Sequence, residues 1–384
     1  MLWERFFLQR CGDSIGFRLT GLLDQFNLKE QVKRLTDGAE THMSRPKQVT
    51  IVEVAAAAGV SIATVSNVLN RGGIRSSKET IRKVELAAEQ LGYRRNTMAA
   101  GLSRNKTFEI GLIVPGLTSY YGRLAEVLQM EAHHAGYHLS VFSSGGFDPT
   151  IERRNLEVLL QRRVDGLICH GLAMGKESTR AIVNSGTPLV LINGWGWPED
   201  ISVGAVNLGF AEACRQSTKL LVARGCDELI YVGSKHSNVI DEQRRLGFHL
   251  GLQQLSVVIS HRIVEMKELD VDVFLQEVMD GPAKRTGIVA FDDHVALKLL
   301  SAANKQKIDF PNRLQMIGIN NDYMAKHSYP GISSWDIPYE LQAQMAIHKL
   351  LHKFGHTVEA SEEREFEVPL IFIERETTRL ADTE

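Results

Sequence analysis

The residues best placed to do chemistry lie in the run VTIVEVAAAAGVSIATVSNVLN, residues 49–70. Within it Ser61, Ile62, Ala63, Thr64, Ser66 and Asn67 fall on one side of a helical period, and Val65, Val68 and Leu69, at i, i+3 and i+4, make the apolar side. The first set is small and mostly polar, with hydroxyls and an amide able to donate or accept and with apolar tips at Ile62 and Ala63. A face of this kind suits contact in a groove whose walls offer hydrogen-bonding edges and methyl groups.

Three short helices must position that face. Thr50 can cap the first, with Glu53 reaching back three residues later to complete a capping box, so a helix is expected over about 51–58. Gly59 supplies a left-handed stop and Val60 can drop into the core beneath the turn. Ser61 then caps the second helix. A third begins at Ser76 or Ser77 with a capping pattern of Ser76 and Glu79, carries Ile81, Val84, Ala87 and Leu91 inward, and ends at Gly92. Amphipathic helices alone are common, and it is charge that separates this stretch. Residues 44–107 hold eleven Lys and Arg against four Asp and Glu, a balance of +7, so the rest of the chain carries −9 to reach the net −2. A basic head on an acidic body is the footprint of nucleic-acid binding attached to something with another task.

Other chemistries find little support. Cys11, Cys169, Cys214 and Cys226 show no metal-binding spacing, so buried thiols in a reducing cytoplasm are expected, and no cofactor or metal is. Ser143-Ser144-Gly145-Gly146 lacks the rest of a nucleotide-binding motif, and His133 and His134 sit on a helix as surface residues. The 384 residues exceed one core and imply two or three domains, and no apolar run approaches a membrane span. From Phe108 onward apolar runs alternate with amphipathic helical lengths: IGLIV, HLSVF, VDGLIC, PLVLI, ELIYVG, GIVAF and LQMIGI. Continuous apolar runs are the mark of buried parallel strands, so this part is a doubly wound α/β region, long enough for two lobes.

The run at 49–70, followed by ETIRKVELAAEQLGYRRN, MAAGLS and, near the C-terminus, ERETT, resembles the LacI/GalR family of bacterial transcription regulators over roughly residues 47–379. The resemblance implies an α/β chain with an all-α helix-turn-helix head at 47–95 and a hinge helix and linker at 96–107. It further implies a two-lobed periplasmic-binding-protein-like domain at 108–384. Lobe 1 is expected at about 108–206 and 337–364, lobe 2 at about 207–336 and 365–379, with FEVPLIFIE as the last strand. Residues 1–46 are an extension outside that pattern, and Met43 is the expected start, against the alternative of a native helical appendage around Leu22 to Leu35. The family's hinge lies in the DNA minor groove with a leucine wedged between base steps; here that residue is Leu102. Arg95 stands where the family has proline, losing a fixed φ while adding a possible phosphate contact. Thr50, Ser61, Ile62, Ala63, Thr64, Ser66, Asn67, Asn70, Arg95, Asn96, Ala99 and Leu102 are the expected DNA contacts.

The same resemblance places an effector in the cleft between lobes, at the carboxyl ends of the strands. Matching positions are Tyr120 and Tyr121 after the first strand, Asn193, Arg244 in RRLGF, Asp293 in FDD, paired with Arg244, and Asn320 in IGIN. Asn193 and Asn320 replace the aspartates of most relatives, which suits a sugar acid or sugar phosphate as well as a neutral sugar. Trp195, Trp197 and Trp335 follow strands, where they could stack on a pyranose or pack in the core; Trp195 and Trp335 are included among the expected contacts. No leucine heptad tail follows Thr378, so a homodimer is the default. The expected function is a cytoplasmic, non-enzymatic repressor that binds a palindromic operator under control of a small sugar or sugar-acid effector. A transport-type sugar-binding protein and a sugar-processing enzyme are the competing classes.

Overall fold

The computed structural model describes residues 49–69, 76–93 and 106–380, apart from positions 118, 147, 174, 199, 235–237 and 358–363. They belong to two compact units divided between residues 97 and 98.

The first unit is helical, with α1 at Ile51–Ala58, α2 at Ile62–Leu69 and α3 at Lys78–Gln90. The Thr50 N–H donates to Glu53 Oε2 at 2.7 Å, and Gly59 closes α1 at φ 66. Ser61 Oγ accepts the Thr64 N–H at 3.1 Å and so starts α2. Val54, Ala55, Val65, Val84, Ala87 and Ala88 form the core, with Val60, Val68 and Leu69 packed against it. Two expectations for α3 are corrected. Its cap is Ser77, which accepts the Thr80 N–H at 3.1 Å, and Glu79 instead faces Lys83 at 2.8 Å. Ala88 turns inward beside Ala87, and Leu91 at the helix end is 39% exposed.

The second unit holds two six-stranded sheets. Lobe 1 begins with β1 (Glu109–Val114), α4 (Tyr120–His134), β2 (His138–Ser143), α5 (Pro149–Gln161), β3 (Gly166–His170), α6 (Lys176–Asn184), β4 (Leu189–Ile192) and β5 (Gly204–Leu208). Lobe 2 follows with α7 (Phe210–Ala223), β6 (Glu228–Gly233), α8 (Val239–Gln253), β7 (Ser260–Glu265), α9 (Val271–Asp280), β8 (Thr286–Ala290), α10 (Asp293–Lys305), β9 (Leu314–Asn320), α11 (Tyr323–His327) and β10 (Ser333–Asp336). The chain then returns to lobe 1 as α12 (Tyr339–Lys353) and β11 (Glu365–Val368), and ends in lobe 2 with β12 (Ile371–Ile373). The first sheet has the order β11-β5-β4-β3-β1-β2 and the second β12-β10-β9-β8-β6-β7. All paired strands are parallel except β10 with β12.

Helices cover both faces, as a buried parallel sheet requires. Leu124 and Leu128 of α4 and Ala343 and Leu350 of α12 share one core with Ile110, Leu112, Val190 and Val206. Leu156 and Leu159 of α5 and Ile182 of α6 fill the opposite face. In lobe 2, α7 and α8 approach closely because α8 presents Gly247 and Gly251: a Cβ on Gly247 would strike the Ala211 carbonyl, and one on Gly251 would lie 2.5 Å from Thr218 Cβ.

Three strands were not read from sequence. β5 and β10 are short and carry Gly, Asn, Ser or Asp, and β7 is an edge strand whose Ser260 and His261 are exposed. The tail segment is also corrected, since it forms two strands: β11 runs parallel to β5, and β12 runs antiparallel to β10. Pro369, which has no N–H for a ladder, lies between them. Residues 365–368 therefore pair in lobe 1, and the expected boundary at 206/207 cuts through β5. The lobes exchange chain three times, between β5 and α7, between β10 and α12, and between β11 and β12. Among the described residues no single helix is long and apolar enough to cross a membrane.

Candidate functional site

The outward face of α2 begins at Ser61, Ile62 and Ala63, all exposed, with Ile62 at 48%. Thr64, Ser66 and Asn67 are half-buried on the next turn, and Thr50 is exposed at the start of α1. The Ser61 and Thr64 hydroxyls lie 2.9 Å apart, so part of their capacity serves the helix cap. Asn70, Arg95, Asn96, Ala99 and Leu102 fall outside the described residues, as does the extension before Val49.

In the second unit the carboxyl ends of the strands from both lobes converge on a cavity of about 160 Å³. Lobe 1 contributes Ser119, Tyr120 and Tyr121 after β1 and Asn193 after β4. Lobe 2 contributes Phe210, Ile240, Arg244, Phe291, Asp292, His294 and Asn320. Asn193 and Asn320 hold φ values of 54 and 111, a region that asparagine enters more readily than most side chains.

Arg244 is the cation at the centre. It is 3% exposed, and its guanidinium lies between the Phe210 and Phe291 rings, 4.1 Å from each centroid. Nη1 donates to the Phe291 carbonyl, and Nε is buried without a partner. Rings on both faces leave only the guanidinium edge for a ligand, and that edge is the one suited to two parallel hydrogen bonds.

The opposite wall is a hydrogen-bonded chain in lobe 1. Tyr120 donates its hydroxyl to Gln342 Oε1 at 3.0 Å and accepts from Asn193 Nδ2 at 3.4 Å. Asn193 Oδ1 accepts the Leu208 N–H, which fixes the amide. The His170 Nδ1 accepts the Leu172 N–H, and burial pushes the imidazole down to about 3, so the ring is neutral. Burial raises both tyrosine hydroxyls, Tyr121 to about 12 despite the opposing charge of Arg244, so both act as neutral phenols.

Three expected effector contacts are corrected. Asp293 is fully buried behind the cavity wall, where it accepts the Ser334 hydroxyl and the Asp322 N–H, both at 2.7 Å. It does not pair with Arg244; Asp292, one residue earlier, lines the cavity while also capping α10 through the Val295 N–H at 2.9 Å. Trp335 is 5% exposed, gives its indole N–H to Ser217 Oγ at 2.7 Å and packs on Phe372. Trp195 does not line the cavity and packs at the edge of the core on Phe210, centroids 5.9 Å apart. Sequence reasoning missed Phe210 and Phe291, although each stands directly beside a strand end, where a cleft in an α/β sheet is lined.

Comparison with known proteins agrees with this division of labour. A model of bacterial regulatory proteins of the lacI family matches residues 50–96, and one of a periplasmic binding protein-like domain matches residues 218–378. Catabolite control protein A of Staphylococcus xylosus is 32% identical over 298 residues, which is 74% of this chain and 86% of that protein. The chain belongs to the LacI family. The sucrose operon repressor of Streptococcus mutans is 31% identical over 310 residues, covering 80% of this LacI-family chain and 93% of the relative. Among solved structures, a lac repressor dimer bound to operator and the anti-inducer ONPF superposes with a TM-score of 0.74 at 20% identity, covering 86% of this chain and 99% of that one. This LacI-family protein is accordingly a DNA-binding transcription regulator of the repressor class, and its relatives are regulators rather than enzymes.

Proposed function

We propose that the protein acts in the cytoplasm as a homodimeric repressor on a palindromic operator and is released or engaged by a small sugar or sugar acid held between its lobes. The observation that carries the effector half is Arg244: buried and clamped between two phenyl rings, at a cavity that both lobes line. Asp292, Asn193 and Asn320 supply further polar contacts for hydroxyl groups, and Tyr120 and Tyr121 offer aromatic faces to the ring carbons. The exposed start of α2 makes the DNA half, with Ile62 and Ala63 favouring thymine methyls and Asn67 reading adenine or a phosphate. Asn70, Arg95, Asn96, Ala99 and Leu102 are proposed as further DNA contacts. Closure of the lobes and occupancy of the operator are then coupled reciprocally.

The test uses Arg244→Met, which keeps an apolar stem between Phe210 and Phe291. Removing a charge-assisted bond is worth roughly 1.5 to 3 kcal/mol, so effector affinity falls about 10- to 150-fold. Calorimetry against hexoses, hexonates, hexuronates and sugar phosphates measures it, with an operator obtained by binding-site selection as the second readout. DNA affinity without effector is expected to stay constant. An effector that binds Arg244→Met as tightly as the native chain removes Arg244 from the role.

A further inference from the structure

A second hollow opens at the other end of lobe 1, beside the residues that lead into β1, β3 and β4. Its volume of about 510 Å³ falls within the roughly 300 to 1,000 Å³ of small-molecule sites. The strands between it and the interlobe cavity are four to six residues long, which is about 13 to 20 Å at ~3.3 Å per residue. One small molecule cannot fill both.

Apolar surface and charge meet in this hollow. Tyr137, Leu160, Pro188 and Phe354 line it, and the Tyr137 and Phe354 rings stack with centroids 5.4 Å apart. Lys106 and Arg163 line it as well, both exposed, and neither side chain has a hydrogen bond or ion pair among the described residues. Asp165 is the one carboxylate among the lining residues, and its oxygens are already engaged. Oδ1 accepts the Thr107 N–H at 2.8 Å and Oδ2 the Phe108 N–H at 2.9 Å, with the Thr107 hydroxyl 3.0 Å from Oδ1. Two uncompensated cations beside an apolar wall suit a molecule with an apolar body and one anionic group, which a lysine and an arginine can hold by charge-assisted hydrogen bonds.

The same residues hold the root of the chain that comes from the head. Asp165 grips Thr107 and Phe108, the Phe108 carbonyl accepts the His138 N–H at 2.8 Å, and the Phe108 ring stands 5.8 Å from that of Tyr137. A molecule lodged against Lys106, Arg163 and Tyr137 therefore presses on the segment through which lobe 1 is joined to the DNA-binding unit. We infer that this hollow is a second effector site, for a small organic anion with an apolar body, and that its occupancy changes operator affinity through residues 106–108. Linkage then requires operator to change the affinity of the anion by the same factor.

Benzoate and phenyl phosphate are the probes, with benzyl alcohol as the neutral control and inorganic phosphate as the bare ion. Ligand-observed NMR on the full chain is expected to show saturable binding of at least one probe, tenfold or more tighter than either control. Lys106→Gln and Arg163→Gln, exposed positions with no partner to lose, should each weaken it fivefold or more, whereas Arg244→Met in the interlobe cavity should leave it unchanged. In a gel-shift titration the bound probe should change operator affinity threefold or more, and the double variant Lys106→Gln/Arg163→Gln should lose that change. Binding no tighter than the controls, binding indifferent to Lys106 and Arg163, or binding abolished by Arg244→Met each overturns the site. A probe that binds there and leaves operator affinity where it was overturns the regulatory half. None of these results touches the sugar reading of the cleft, which stands or falls with Arg244→Met and sugars.

Discussion

Replacing Asp293 by asparagine should change how the stability of this protein depends on pH. The carboxyl is fully buried, and burial raises it from 3.8 to about 7, against the lowering effect of the Ser334 hydroxyl and the Asp322 N–H. A carboxyl whose folded value is raised binds its proton more tightly in the native state. Its contribution is complete below pH 3.8 and is lost as pH climbs towards 7. At 1.36 kcal/mol per unit, about three units correspond to up to about 4 kcal/mol across that window. His170 acts in the opposite sense: its folded value near 3 lies below the ordinary 6.5, so it withdraws stability as pH falls through that range. The native chain alone therefore shows a blunted profile. The difference between Asp293→Asn and the native chain cancels the histidine and isolates the aspartate. Asparagine keeps one acceptor oxygen, and the Ser334 hydroxyl can rotate to accept from the new amide, so any lost bond adds a pH-independent offset of about 0.5 to 1.5 kcal/mol. Urea denaturation of both chains, followed by circular dichroism at half-unit steps from pH 4 to 8, should show the difference moving in favour of asparagine by several kcal/mol and flattening above pH 7. A difference that stays constant over pH 4 to 7 would show that the carboxyl titrates as if exposed.

Gly247→Ala should destabilise the second unit by about 1 to 3 kcal/mol or more, because the new methyl meets the Ala211 carbonyl across the α7/α8 contact; thermal melting reports it. Trp335→Phe should cost about 1 kcal/mol through loss of the bond to Ser217, with effector affinity unchanged, and a calorimetric loss of affinity would return Trp335 to the cleft. In the head, Ser61→Ala removes the acceptor that starts α2 and should cost about 1 kcal/mol, measured on the head's own unfolding transition. Substitutions at Ile62 and Ala63 should change the half-site recovered by binding-site selection, and an unchanged half-site would exclude them from base reading.

How legible all this was depended on whether the signal was local. The α1 cap, its glycine stop and the Ser61 cap are each encoded within four residues, and α1 forms over Ile51–Ala58, as the spacing predicts. ELIYVG is likewise one uninterrupted apolar run, and it is β6 to the residue. Where two adjacent residues compete, the pattern gave too little. Asp292 and Asp293 are chemically identical in sequence, and only the turn into α10 decides that the first caps the helix at the cavity while the second points into the protein. Trp335 looked like a loop residue because β10 is four residues long with two serines, too short and polar to announce a strand. The clamp on Arg244 has no local signature, since Phe210, Arg244 and Phe291 meet only after three separate strands and helices pack. The tail read as one strand because its apolar residues run on through Pro369, and nothing in their pattern says that the two halves pair with different sheets.

The close seating of α8 on α7 has a kinetic corollary. Gly247 and Gly251 weld the helix that carries Arg244 to the helix that begins at Phe210, and β8 delivers Phe291 to the same lobe. The arginine edge and both of its flanking rings thus travel as one preassembled half-socket on lobe 2, whatever lobe 1 is doing. Encounter should occur there first, at a rate proportional to ligand concentration, and Tyr120, Tyr121 and Asn193 should arrive afterwards in a first-order step whose rate no amount of ligand can raise.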